Sequence, residues 1–267
     1  MVIILYSLKR LLDRLLKDEE IIGIVVFGKC LSIGHQEVLC LPLDQLRNSL
    51  EESDIDLLIF TKRKSLAIMS YIEEALRHED IHIVFHPDFY SVRPSDKVTF
   101  DIIVVPRGTR WFSRDNLGRL IGLSIFSSEY ILLSDYPIEK LLVLPKKADS
   151  MSERINLVLK GYGGLYYFIT GLWSAIGNKN LVDARRILKW AIIDTVWALE
   201  GKFIRDDPYR CVDILNSRLG DICEEYGATL DIFLGKRRVN PSLQLMKDVY
   251  GFIEFLIGSL RQILSEG

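Results

Sequence analysis

Apolar residues fall into distinct periods along the chain. Leu8, Leu11, Leu12, Leu15 and Leu16 recur at helical spacing, with Lys9, Arg10, Asp13, Arg14 and Lys17 between them, and predict an amphipathic helix. Ile21 to Phe27 is a β-branched run that predicts a buried strand stopping at Gly28. Residues 29–52 show no clear period, and only Leu43, Leu46 and Leu50 would line a short helix inside an otherwise irregular segment. Asp54 to Phe60 predicts a second strand and Leu66 to His78 a helix. Ile81–Phe85, Val98–Val105 and Tyr130–Leu133 predict three further strands.

Beyond Pro145 the pattern is helical alone. Ile187, Leu188, Ala191, Ile192, Thr195 and Val196 hold the helical period within residues 150–199, and residues 208–226 and 241–264 follow the same rule. The polar stretch from Pro145 to Ser150 marks the change. The expected fold class is α+β: a mixed sheet with helices over residues 1–145, then an all-helical domain over residues 146–267.

Composition narrows this picture. Hydrophobic residues make up 49% of the 267 and charged residues 26%, which supplies a sizeable core and excludes a disordered chain. A net charge of −2 gives no global pull toward nucleic acid or an anionic membrane. Arg107, Arg110, Arg114 and Arg119, like Lys236, Arg237 and Arg238, form local basic runs that read as solvated surface. Cys30, Cys40, Cys211 and Cys223 make no C-x-x-C pair and no ligand spacing with histidine, so thiols are expected. No window approaches the roughly 18 uncharged apolar residues of a membrane span. Met1 to Tyr6 lacks the marks of a secretion signal. The expectation is a cytoplasmic protein without a membrane partner.

The chemistry gathers in two strands. Asp54 and Asp56 stand two apart, so their side chains share one face while Ile55, Leu57 and Ile59 take the other. Aspartate is disfavoured in strands, and two side by side repel unless a cation lies between them. Oxygen ligands of this kind suit Mg²⁺ or Mn²⁺. Asp101 interrupts a second apolar strand, Val98 to Val105, and needs a partner there. If the two strands are adjacent, Asp54, Asp56 and Asp101 form a carboxylate cluster able to hold metal, and Asp101 is also placed to take a proton from an attacking hydroxyl. Gly28, ending a strand, lets backbone N–H groups approach a phosphate, and Lys29 beside it adds charge. His78, His82 and His86 lie four apart, but Ile81 to Phe85 alternates like a strand, which argues against a histidine metal stripe. Gly161-Tyr162-Gly163-Gly164 lacks the strand and the ending of a phosphate loop and reads as close helix packing.

Phe27-Gly28, Ser53-Asp54-Ile55-Asp56-Leu57 and Asp101 together resemble the nucleotidyltransferase superfamily, which includes DNA polymerase beta, the CCA-adding enzymes and the antibiotic nucleotidyltransferases. The resemblance covers roughly residues 20–105 and implies a nucleotidyltransferase-like fold followed by a helical substrate-binding or lid domain. It implies that Asp54, Asp56 and Asp101 are catalytic and bind Mg²⁺ or Mn²⁺. Gly28, Lys29 and Ser53 would then be the nucleotide-binding residues. The implied reaction moves a nucleoside monophosphate from a triphosphate, with ATP expected, to a hydroxyl or phosphate acceptor on a small molecule, RNA or protein, and releases pyrophosphate. Two features depart from the family pattern: Lys29 stands where the family keeps serine, and the segment between Gly28 and Asp54 is longer than the family's loop. They motivate an alternative, a non-catalytic binding or regulatory module on the same fold, antitoxin-like in character.

Overall fold

The computed structural model describes residues 7–50, 54–63, 66–85, 96–127, 129–161, 181–205, 207–236 and 242–266. The fold is α+β, with one five-stranded mixed sheet and many helices. The strands are β1 (Ile21–Phe27), β2 (Ile55–Thr61), β3 (Ile81–Phe85), β4 (Val98–Pro106) and β5 (Ile131–Leu133). Their order is β3-β4-β2-β1-β5. β1 runs antiparallel to β2 and β5, whereas β2 and β3 run parallel to β4.

The chain divides into two compact units. The first comprises Met1–Trp111 and Ile125–Leu144, and the second Phe112–Ser124 and Pro145–Gly267. The second therefore takes in a stretch that precedes the change of pattern at Pro145. The apolar pattern predicts no element there, and the structure forms α5 (Trp111–Arg114) and α6 (Asn116–Phe126) across it. Leu120 and Leu123 explain its allegiance, because they lie in the same apolar cluster as Ile155, Leu188 and Phe252.

In the first unit, one face of the sheet is wholly apolar. Ile24, Val26, Ile55, Leu57, Ile59, Phe100 and Ile102 form a buried cluster with Leu8, Leu11, Leu12 and Leu15 of α1 (Leu8–Leu15). Val38 of α2 (His35–Cys40), Leu43 and Leu46 of α3 (Leu43–Leu50) and Ile68 and Ile72 of α4 (Leu66–Ala75) complete it. Ser7 caps α1, its hydroxyl accepting from the Arg10 backbone N–H. Residues 29–50, expected to be mostly irregular, instead form a 3₁₀ turn (Lys29–Ile33), α2 and α3. Each piece is too short to show a period in sequence, and each is held by one or two buried side chains rather than a stripe. A short α7 (Ile138–Leu141) follows β5.

The second unit holds α8 (Met151–Gly161), α9 (Leu181–Glu200), α10 (Pro208–Leu219), α11 (Ile222–Phe233) and α12 (Leu243–Glu266). The helix expected over residues 208–226 is two helices. Gly220 sits at φ 96°, where only glycine is unstrained, and Asp221 caps the next helix by accepting from the Glu224 backbone N–H. Gly161 ends α8 against the Asn116 carbonyl and Leu120, where an added Cβ would come within 3.3 Å. That is the close packing expected of it; Tyr162, Gly163 and Gly164 lie outside the described residues. Among the described residues, no helix is long and apolar enough to cross a membrane.

Candidate functional site

The sheet brings the two aspartate-bearing strands together. Asp56 pairs in register with Asp101 across β2 and β4. On the far side of β4, Asp101 faces Val84 of β3; on the far side of β2, Asp56 faces Phe27 of β1. Residues paired in this way point to one face of a sheet, so the two carboxylates are side by side. That face is the one opposite α1–α4, because Ile55, Leu57 and Ile102, one position along, belong to the apolar cluster. Asp101 is buried at 5% exposure, and Asp56 is half-buried.

Two carboxylates on neighbouring strands carry an electrostatic cost. Adjacent strands lie ~4.8 Å apart, and two unit charges at about that distance repel by roughly 3 kcal/mol at an effective dielectric of ~20. Asp54 immediately precedes β2 and is half-buried. Asp56 and Asp101 thus lie on one face in direct register. Among the described residues, no group of three or more His, Cys, Asp or Glu side chains stands at metal-ligand spacing.

The turn after β1 closes on the same carboxylate. Gly28 has φ 91° and ψ −164°, a backbone state that side-chain-bearing residues rarely adopt. A Cβ built there would lie 2.0 Å from Oδ2 of Asp56, so the glycine backbone rests directly against the carboxylate. Gly28 is required twice over, for its dihedral angle and for the missing side chain. The backbone of Lys29 begins the 3₁₀ turn; its side chain lies outside the described residues, as does Ser53.

Cys30, which sequence reasoning took only as one of four thiols, belongs to this corner. Its Sγ donates to the Phe27 carbonyl at 3.3 Å and is fully buried. Burial, and then the nearby negative charge of Asp56, push the thiol up to about 12. Cys30 is therefore a neutral packing group beneath the site, not a nucleophile. Nothing in its sequence context distinguishes it from Cys40, Cys211 or Cys223.

Thr99 and His82 extend the polar strip. They pair across β4 and β3, one step of two residues from the Asp101–Val84 pair, and so share its face. Thr99 is buried at 4% exposure. The ring of His82 is half-buried, and among the described residues its Nε2 atom is sealed from water with no hydrogen-bond partner. The three histidines spaced by four do not form a stripe. His78 lies in the turn before β3, where its Nδ1 accepts from the Asp80 backbone N–H, and His86 lies outside the described residues.

The basic run separates on folding. Arg107 lies in the first unit, stacked 4.8 Å over the Tyr136 ring and donating to the Lys140 carbonyl. Arg119 lies in the second, where it donates to Glu153 and to the carbonyls of Lys146 and Lys147. All four cysteines carry thiols, with Cys30 and Cys211 buried and Cys40 and Cys223 exposed.

No family model matches the chain, and no curated protein matches it in sequence.

Proposed function

We propose that the chain is a metal-dependent nucleotidyltransferase, with a nucleotidyltransferase-like domain built on the sheet, followed along the chain by a helical domain. The observation that carries the reading is the register pair Asp56–Asp101 with Gly28 pressed against the Asp56 carboxylate. Paired carboxylates beside a glycine turn are the donor set that suits Mg²⁺ or Mn²⁺ together with the phosphates of a nucleotide. Mg²⁺ typically takes one or two protein carboxylates and fills its remaining positions with phosphate oxygens and water. Asp56 and Asp101 would hold the ion, with Asp54 beside them. Bound there, it supplies charge neutralisation for the carboxylates and for the triphosphate.

The chain's own residues do the rest. The side-chain-free backbone at Gly28 leaves room for phosphate oxygens to approach N–H groups of the turn. Asp101, buried between β2 and β3, is placed to take the proton of an incoming acceptor hydroxyl. Ile55, Leu57 and Ile59 anchor β2 from behind, which fixes the carboxylates in register. Catalysis of this kind is mostly positioning and charge placement. The substrate is a nucleoside triphosphate, ATP in the first instance, and the setting is the cytoplasm.

The test is transfer of label. Wild-type protein, α-phosphate-labelled ATP and Mg²⁺ are expected to give pyrophosphate and a labelled nucleoside monophosphate product or adduct. Asp56→Asn and Asp101→Asn are expected to abolish it. Metal-dependent nucleotide binding without turnover would instead favour the binding-module reading, and unchanged transfer in both variants would remove the site altogether.

A further inference from the structure

We infer that the carboxyl end of the two central strands is a surface that binds single-stranded RNA, apart from the carboxylates. β2 and β4 run parallel and leave the sheet together, with Thr61 paired to Pro106. The Arg107 backbone N–H donates to the Thr61 carbonyl, so Lys62 and Arg107 emerge side by side, one strand spacing of ~4.8 Å apart. Arg63 follows Lys62, and both are exposed. The start of α7 and the residues before it reach the same end. Arg107 Nε donates to the Lys140 carbonyl, and the Gly108 N–H donates to the Leu141 carbonyl. Lys62, Arg63, Arg107 and Lys140 thus come together from three separate stretches of chain, and exposed Arg110 follows close behind Arg107. Thr61 lies five residues beyond Asp56 along β2, about 16 Å at ~3.3 Å per residue.

The charge at this end is not paired off. Among the described residues, Lys62, Arg63, Arg107 and Lys140 enter no ion pair, whereas Arg119 and Arg218 elsewhere do. Glu20, Asp135 and Glu139 adjoin the cluster along the chain or through the backbone, and none of them pairs with it. Exposed cations of this kind attract a polyanion. Flat groups decide which one. The Arg107 guanidinium lies 4.8 Å over the Tyr136 ring, which stays 40% exposed, and its Nε bond to Lys140 holds it there. Gly108 beside it has φ 72°, and a Cβ built on it would meet nothing within 4 Å, so the strip is open. Trp111, 38% exposed, follows, its backbone N–H donating to the Thr109 hydroxyl. Unpaired bases stack on aromatic rings and guanidinium groups while lysine and arginine hold the phosphates. RNA offers such bases in loops, bulges and ends. A duplex hides its bases, and an acidic peptide or an anionic bilayer would use the charge and leave the flat groups idle.

The experiment is fluorescence anisotropy of the full chain with a short labelled oligouridine, over a range of salt and in the presence of chelator. Binding is expected to weaken as salt rises, with a log–log slope of about −2 to −3 for three or four phosphate contacts. Lys62→Gln and Arg63→Gln are each expected to weaken binding severalfold and to reduce the slope by about 0.7. Tyr136→Ala is expected to weaken it about tenfold at an unchanged slope, and Tyr136→Phe to restore it. That rescue, with unchanged melting of the two exposed-cation variants, separates loss of contact from loss of fold. Inorganic polyphosphate, a polyanion without bases, is expected to compete weakly and to be indifferent to Tyr136→Ala. The inference is overturned if no salt-dependent binding is seen, if the double variant of Lys62 and Arg63 binds as wild type does, or if chelator abolishes binding. It is equally overturned if an RNA duplex, polyphosphate or phosphatidylserine vesicles bind as tightly as the single strand. None of these outcomes bears on the nucleotidyltransferase reading, which stands or falls on Asp56 and Asp101.

Discussion

The two units treat their buried polar groups differently. In the helical unit two of them have a visible local use. Thr195 donates from its hydroxyl back to the Ala191 carbonyl, and Ser124 receives Arg205 through both its carbonyl and its hydroxyl. Arg205 also lies over the rings of Trp190 and Phe203. These bonds all lie within the helical unit. In the sheet unit the buried Asp101 has a second carboxylate as its register neighbour, and the nearest turn is pressed against that second group. Opposite polar groups brought together stabilise a fold; like charges brought together cost free energy that an exogenous cation is able to offset. In the proposed reading that cation is the metal held by Asp56 and Asp101.

Substitutions test this contrast in opposite directions. The largest expected effect is on transfer: Asp56→Asn and Asp101→Asn each lower it by about 10²–10³-fold or more. Without metal the same variants are expected to unfold within about 1 kcal/mol of wild type in denaturant, because asparagine keeps the side-chain volume and a carbonyl acceptor. Loss of stability in both would mean that the carboxylates are structural. Arg205→Ala in the helical unit is expected to go the other way, costing about 1–3 kcal/mol in chemical denaturation with little direct effect on nucleotide affinity. Gly28→Ala combines the two behaviours. Its positive φ costs about 1–2 kcal/mol for any side chain, and its Cβ displaces the Asp56 carboxylate, so stability and nucleotide affinity fall together. Full affinity in Gly28→Ala would detach the turn from the site.

Two smaller effects sharpen the picture. A thiol-alkylating reagent is expected to label Cys40 and Cys223 rapidly in the native protein and Cys30 and Cys211 only on unfolding. Rapid native labelling of Cys30 would contradict its burial beneath Asp56. In the second unit, hydrogen bonding from Arg119 holds the Glu153 carboxyl below the ordinary glutamate range. A carboxyl lowered on folding contributes stability that is present above its ordinary value and is lost as pH falls through the folded one. Acidification below about pH 4.3 is therefore expected to erode a small increment in wild type and none in Glu153→Gln, read as the difference between their melting curves.

Much of the sheet was legible because its signals are local. Asp56 and Asp101 announce themselves as charges inside apolar runs, and Asp54 stands at the edge of one. The adjacency of β2 and β4 was only a condition in the sequence, because strand order is a long-range property that no residue spacing encodes. The segment after Gly28 hid its helices, since Val38, Leu43 and Leu46 anchor pieces too short for periodicity. His82 and Thr99 were invisible as a pair until register placed them together. Arg107 and Arg119 looked like neighbours, yet the chain passes from one unit to the other between them.

The most direct test of the account is calorimetric titration of ATP into wild type, Asp56→Asn and Asp101→Asn, each with Mg²⁺ and with chelator. The account predicts Mg²⁺-dependent binding to wild type that chelator removes, weakened about tenfold or more in either variant. Binding that is equal in all three proteins, or that ignores the metal, would contradict it.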